Sequence, residues 1–145
     1  MPYIEDFLSA KDETEIVEAI RAAECDTSGE IRVHIEQNCD IDVYERALDV
    51  FHTLKMDNTK AQNGVLIYVA VDNKSFVIYG DQGINNIVGS DFWNSTRDKI
   101  SHKFKSGNFK QGMIDGIKEA GQALSKHFPW QHGDSDELDN TISKG

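Results

Sequence analysis

Two apolar runs set close together decide most of what this chain can fold into. Gln62 to Gly83 reads QNGVLIYVAVDNKSFVIYGDQG, and within it VLIYVAV and SFVIYGD are parted only by the polar turn Asp72-Asn73-Lys74. Two such runs about a short polar turn predict a β-hairpin. The first run is apolar at every position, the pattern of a buried strand. A hairpin also returns its outer ends to one another. Asn63-Gly64 ahead of it and Gly80-Asp81-Gln82-Gly83 behind it are therefore expected as neighbours in space.

Upstream, the apolar spacing changes period twice. Ser9 to Glu24 places Ile16, Val17, Ile20 and Ala23 at helical intervals, behind a Ser9 cap and acids in the first turn. Asp26-Thr27-Ser28-Gly29 breaks that helix. From Glu30 to Gln37, Ile31, Val33 and Ile35 alternate with Arg32, His34 and Glu36, which predicts a strand with one open face. Asp40 to Lys55 returns to helical spacing, with Tyr44, Ala47, Leu48, Phe51 and Leu54 on one side. A helix between the strand 30–37 and the run 65–71 predicts a β-α-β unit, its two strands parallel and its crossover right-handed. The third strand, Ser75 to Gly80, then runs back antiparallel.

Beyond the hairpin, Ile84 to Val88 reads as a short helical turn. Ser90 or Asp91 is expected to cap a helix reaching Lys105, with Trp93, Thr96, Ile100 and Phe104 inward and Phe92 also in the core. Asn108 is expected to cap a last helix to His127, striped with Phe109, Met113, Ile117, Ala120 and Leu124. Gly112, Gly116 and Gly121 recur along it. Glycine weakens a helix by about 1 kcal/mol each, so three of them predict close backbone packing against the sheet. Pro129 ends the helix. The order α-β-α-β-β-α-α supplies helices for both faces of a small mixed β-sheet, an α/β fold built as a three-layer α/β/α sandwich. Residues 1–128 are expected to form the domain and residues 129–145 an acidic, mobile tail.

A chain of 145 residues suffices for one full core. Residues 1–57 hold 15 acids and 5 bases, whereas residues 58–133 hold 6 and 9, within a formal net charge of -10. That balance argues against nucleic acid or anionic lipid, both of which require a cationic footprint. No apolar run approaches the roughly 20 residues of a membrane helix, and the first residues lack the basic and apolar regions of a signal peptide. A cytoplasmic monomer is expected, with no membrane partner. Cys25 and Cys39 flank a strand that would span roughly 26 Å, too far for a disulfide.

Some chemistries are absent from the sequence. Neither cysteine opens a Cys-x5-Arg loop, since Ile31 and Glu45 stand at the sixth positions. There is no Gly-x-Ser-x-Gly elbow, P-loop or Cys-x-x-Cys pair. Asp134-x-Asp136 begins like a calcium loop, but Asp139 stands where such a loop needs glycine and Gly145 where it needs glutamate. Asp40 and Asp42 read as helix caps. His34, His52, His102, His127 and His132 are scattered and read as surface residues. Lys99, Lys103, Lys105 and Lys110 form one basic patch, read as a solvated face that would also suit an acidic partner or another copy's acidic first third.

Four short motifs occur in a telling order: Ser28-Gly29-Glu30, Asn63-Gly64-Val65-Leu66-Ile67, Gly80-Asp81-Gln82-Gly83, and Lys105-Ser106-Gly107-Asn108-Phe109 with Gly112. In them the chain resembles the TPM-domain family, small α/β/α domains, over roughly residues 5–128. It is similar to the short, soluble bacterial branch. The resemblance implies divalent-cation binding as in some members, and an acid phosphatase activity has been ascribed to a plant member.

The residues point to the same place by topology alone. Parallel strands starting near Glu30 and Val65 begin at one end of the sheet, and the antiparallel third strand finishes there. Glu30, Asn63 and Asp81 should converge at that end, with Asp91 as a further carboxylate just beyond the next loop. Carboxylates, an amide and glycine carbonyls are hard oxygen donors suited to Ca2+ or Mg2+ rather than Zn2+. The plainer alternative is that these acids are solvated or cap a nearby backbone. The expected function is a soluble Ca2+- or Mg2+-binding domain with an accessory or partner-recognition role, a protein partner being left open. A metal-dependent phosphatase using the same site is the rival, and a structural interaction domain without metal is the third reading.

Overall fold

Helix caps and strand periods place the elements much where the sequence puts them. A computed structural model describes residues 9–25, 27–58, 62–89, 91–129 and 142–144. The Ser9 hydroxyl accepts from the Asp12 amide at 3.1 Å and starts α1 (Ala10–Glu24), which buries Ile16 and Ile20. β1 (Glu30–Glu36) follows, then α2 (Val43–Thr53), capped by Asp42 through the Tyr44 and Glu45 amides. A single 3-10 turn leads into β2 (Gly64–Ala70), and the hairpin returns as β3 (Ser75–Gly80). Then come α3 (Gln82–Val88), α4 (Asn94–Lys105) and α5 (Phe109–His127), and the described chain closes with β4 (Ser143–Lys144).

The sheet order is β3-β2-β1-β4. β1 and β2 are parallel, with Glu30 opposite Gly64 and Glu36 opposite Ala70, while β3 runs antiparallel with Gly80 opposite Val65. Period two then sorts the side chains onto two faces. Ile31, Val33, Ile35, Val65, Ile67, Val69 and Ile78 pack under α1, α3, α4 and α5. Leu66, Tyr68, Ala70 and Val77 pack under α2. This is the three-layer α/β/α sandwich with a small mixed sheet.

Several details depart from the sequence reading. β1 has no open face: all of its residues but Arg32 are buried. The glycines of α5 serve neighbouring helices rather than the sheet. A Cβ at Gly116 would stand 2.5 Å from Ile100 Cδ1, and one at Gly121 would stand 2.6 Å from Ala23 Cβ. Phe92 is exposed, as is Tyr44, which meets Tyr79 edge-on at 6.1 Å. α4 begins at Asn94 behind Trp93, with no side-chain cap, and the Asp91 contribution is its carbonyl, which accepts from the Asn94 amide at 3.2 Å. Ser90 lies outside the described residues. Two of the lysines read as a basic face are paired within the chain, Lys110 with Glu15 at 2.7 Å and Lys99 with Glu119 at 2.7 Å.

The end of the chain also differs from a free tail. Ile142 is buried in the core beneath α1 and α5, and Ser143 and Lys144 pair in parallel with His34 and Ile35. Lys144 reaches Glu13 of α1 at 3.0 Å. The acids Asp134 and Asp136, and His132, lie outside the described residues.

The burial of β1 forces its polar row to find partners, because an unpaired buried charge is too costly to keep. Glu36 accepts from Arg46 Nε at 3.0 Å on both oxygens, from Arg46 Nη2, and from the Tyr68 hydroxyl at 2.6 Å. His34, read from sequence as a surface residue, is buried beside them. Its ring stacks on Tyr68 with centroids 5.8 Å apart, and its Nδ1 meets Ser143 Oγ at 2.9 Å. His34 Nε2 stands 3.1 Å from Glu36 Oε1, without the alignment of a full hydrogen bond. Burial pushes the Glu36 carboxyl upward, but Arg46, Tyr68 and His34 outweigh it and take the group down to about 2. Burial lowers His34 from its ordinary value, against the pull of Glu36.

These shifts have the same sign for stability. Each group holds its proton less readily when folded, so acidification favours the unfolded chain. Stability should fall as the pH drops below 6.5 through His34, and again between about 4.5 and 2 through Glu36. Melting temperatures across that range would show both steps, and His34→Gln should remove the first and reduce the second, because His34 helps hold the Glu36 carboxyl down. Arg46→Gln should cost about 2 kcal/mol in denaturant unfolding, below the figure for a fully buried pair because the Arg46 side chain is more than a third exposed. Gly121→Ala should destabilise by about 1 to 2 kcal/mol despite its helix propensity, since the Ala23 backbone cannot give way.

Candidate functional site

The amino ends of β1 and β2 lie side by side, and β3 ends beside them. Register alone puts Glu30 next to Gly64, and Gly80 next to Val65. Backbone bonds close the junction: the Glu30 amide donates to Asn63 O at 3.4 Å, and the Asp81 amide to Gly64 O at 2.9 Å. The structure therefore brings Glu30, Asn63 and Asp81 to one sheet end. All three are buried, with relative exposures of 1%, 1% and 7%.

Each is held there by local chemistry. Asp81 caps α3, its Oδ1 accepting from the Gln82 amide at 2.8 Å, which leaves Oδ2 buried with no hydrogen-bond partner among the described residues. The Asn63 side chain donates to Ser28 Oγ at 3.4 Å. Glycines let the surrounding layers close in. A Cβ at Gly29 would stand 2.8 Å from Leu124 of α5, and one at Gly80 would stand 2.9 Å from Ile84 of α3. The motif glycines thus mark close approaches, whatever else this end of the sheet does.

Sequence reasoning missed three residues here. Glu24, the last residue of α1, is buried and accepts from the Ile31 amide at 2.8 Å. Its position at a helix end concealed it, since acids there read as surface. Thr27 accepts from the Gly29 amide at 3.0 Å and donates its hydroxyl to Phe128 O, tying the sheet end to the end of α5. Asn85 donates to Gly80 O at 2.8 Å and fixes α3 over the strand end.

Asp91 is placed differently. It lies exposed in the turn before α4. Among the described residues no three His, Cys, Asp or Glu side chains gather as a group that could hold a metal ion. The donors at this end are the carboxylates of Glu30 and Asp81, that of Glu24 engaged on the Ile31 amide, the Asn63 amide and backbone carbonyls. That set can accept from amides, as Asp81 does, or offer hard oxygens to a cation. Among the described residues no helix is long and apolar enough to cross a membrane.

The sequence matches the TPM domain over residues 4–123. Its fold is shared with the BA42 protein of the psychrophilic bacterium Bizionia argentinensis, solved by NMR: 66% identity, the whole of both chains covered, TM-score 0.92. It is shared also with the N-terminal domain of a protein from P. gingivalis, at 21% identity and a TM-score of 0.71, over 87% of this chain and 83% of that one. No curated protein sequence matches.

Two substitutions separate the capping role of Asp81 from its charge. Asp81→Ala removes the cap and should cost about 1 kcal/mol. Asp81→Asn keeps an acceptor oxygen in place, so its melting temperature in chelator-treated buffer should stay at or above that of the parent. Thermal denaturation followed by circular dichroism tests both.

Proposed function

The chain belongs to the TPM-domain family, and from that premise we propose that it is a divalent-cation binding domain, holding Ca2+ or Mg2+ at the sheet end through Glu30 and Asp81 with the Asn63 amide. The observation that carries this reading is Asp81 Oδ2, a carboxylate oxygen that the fold buries without a hydrogen-bond partner among the described residues. Buried acceptors are satisfied in most native structures. One left over at a sheet end beside Glu30 and Asn63 fits an oxygen-seeking ion. These donors are fewer than the six to eight of a full calcium shell, so water and backbone carbonyls would supply the rest.

A bound cation would supply positive charge at the point where three strand ends meet. Glu30 and Asp81 would each neutralise part of it, and α3, which Asp81 caps, would be fixed against β1. The role is then accessory: a stabilised loop surface for a partner rather than a reaction centre. Asp91, exposed in the turn before α4, is the candidate for an additional carboxylate.

Titrating isotope-labelled protein with Ca2+ and with Mg2+, while following amide shifts, tests this. Residues 28–30, 62–64 and 80–83 should move together and saturate. Asp81→Asn should abolish the response, and Asp91→Asn should weaken it if that side chain takes part. Unmoved amides at all three segments would sink the proposal. Hydrolysis of p-nitrophenyl phosphate by the parent, absent from Asp81→Asn, would replace the binding role with a phosphatase one.

A further inference from the structure

The opposite end of the sheet carries a groove of about 580 Å3, within the range of roughly 300 to 1,000 Å3 usual for small-ligand sites. Its floor is aromatic. Phe76 comes from the start of β3, Phe104 from the end of α4 and Phe109 from the start of α5. The Phe76 and Phe104 rings meet edge-on at 5.2 Å, and Phe104 and Phe109 lie tilted at 4.8 Å. All three are only partly buried. Val71 extends the apolar floor to the carboxyl end of β2.

The rim is cationic. Lys74 and Lys105 line it, both exposed. Lys99, Lys110 and Lys144 pair with carboxylates of the chain, whereas neither Lys74 nor Lys105 does so among the described residues. Asp72, in the same turn as Lys74, is engaged with the Gln37 side-chain amide at 2.7 Å.

Lys74 is also held in an unfavourable backbone conformation. Its φ is 53°, and its amide closes the turn on Val71 O at 3.1 Å. Glycine or asparagine suits such a position better than a long side chain. A left-handed residue is usual in the loop that closes such a hairpin, so glycine in place of Lys74 should leave the turn intact. Position in the sheet favours a ligand here, because α/β sheets bind ligands beyond the carboxyl ends of their parallel strands.

We propose that this groove binds an organic anion with an apolar body, an alkyl or aryl carboxylate. The body lies on Phe76, Phe104 and Phe109, and the carboxylate meets Lys74 and Lys105. Apolar area supplies most of the affinity and the two lysines select the sign of the head group. This site is separate from the Glu30 and Asp81 end, with the length of β2 between them.

Decanoate below its micellar concentration is the probe, with decylammonium and acetate as controls, followed by amide shifts of the labelled chain. Saturable shifts at residues 71–76 and 104–109, with none at residues 28–30, are expected from decanoate. Acetate should give none, and decylammonium should bind more weakly. Lys74→Gly should weaken decanoate by about threefold, the worth of one exposed charge contact, while its melting temperature stays level or rises. Lys105→Gln should weaken it similarly. Equal binding of decanoate and decylammonium would reduce the groove to a plain apolar patch and overturn the proposal. So would the absence of saturable shifts, or unchanged decanoate affinity in both lysine variants.

Discussion

β2 is apolar on both faces, and the rest of the fold is what it takes to cover it. Val65, Ile67 and Val69 need one helical layer; Leu66, Tyr68 and Ala70 need another. A parallel neighbour requires a crossover long enough to hold a helix. The chain supplies α2 as that crossover, which places it on one face. The other four helices among the described residues then fill the other face, with α5 as their centre. Two close approaches let α5 lie there. Gly121 admits Ala23 of α1, and Gly116 admits Ile100 of α4. Helix propensity is sacrificed at both positions for packing that only a missing side chain allows.

Covering β2 also buries β1, and that has a chemical consequence. The row Glu30, Arg32, His34 and Glu36 lies on the α2 side of the sheet, in line with Gly64, Leu66, Tyr68 and Ala70. Toward the carboxyl end the row is paired internally: Arg46, Tyr68 and His34 surround Glu36 and keep it ionised. Ser143 joins through His34, so the short strand β4 is attached to the same network. At the amino end, beyond the row, Asp81 spends one oxygen on a helix cap, and its other oxygen has no hydrogen-bond partner among the described residues. The two ends of one face thus differ in kind. The ion-paired cluster around Glu36 stiffens the fold, while the sheet end keeps one Asp81 oxygen without a hydrogen-bond partner among the described residues.

This distinction explains what could be read from the sequence. The hairpin, the parallel pair and the meeting of Glu30, Asn63 and Asp81 follow from run length, period and turn chemistry, all local signals. The open face of β1 was misread because alternation reports residue type and not what lies above it. His34 and Glu36 looked like surface residues for that reason, and no spacing rule links them to Arg46 or Ser143. Phe92 carries an aromatic ring and stays exposed, since the short turn before α4 directs only Trp93 inward. Glu24 was hidden by its place at a helix end. Each miss turns on tertiary surroundings, made or lacking, that a one-dimensional period cannot register.

Mixed topology gives the two ends of the sheet different chemistry. At the amino end the chain enters β1 and β2 and leaves β3, so three tight connections rich in glycine, asparagine and acid are gathered there. At the carboxyl end the hairpin turn meets the junction between α4 and α5, which brings aromatic residues and lysines together. Seven residues of β2, hydrogen-bonded on both sides, run between the ends. Val65 and Val69 share one core layer, but neither Glu30 nor Asp81 lines the groove over Phe76, Phe104 and Phe109. Occupying one end should therefore leave the other's affinity unchanged, which makes each reading separable from the other in the same chain.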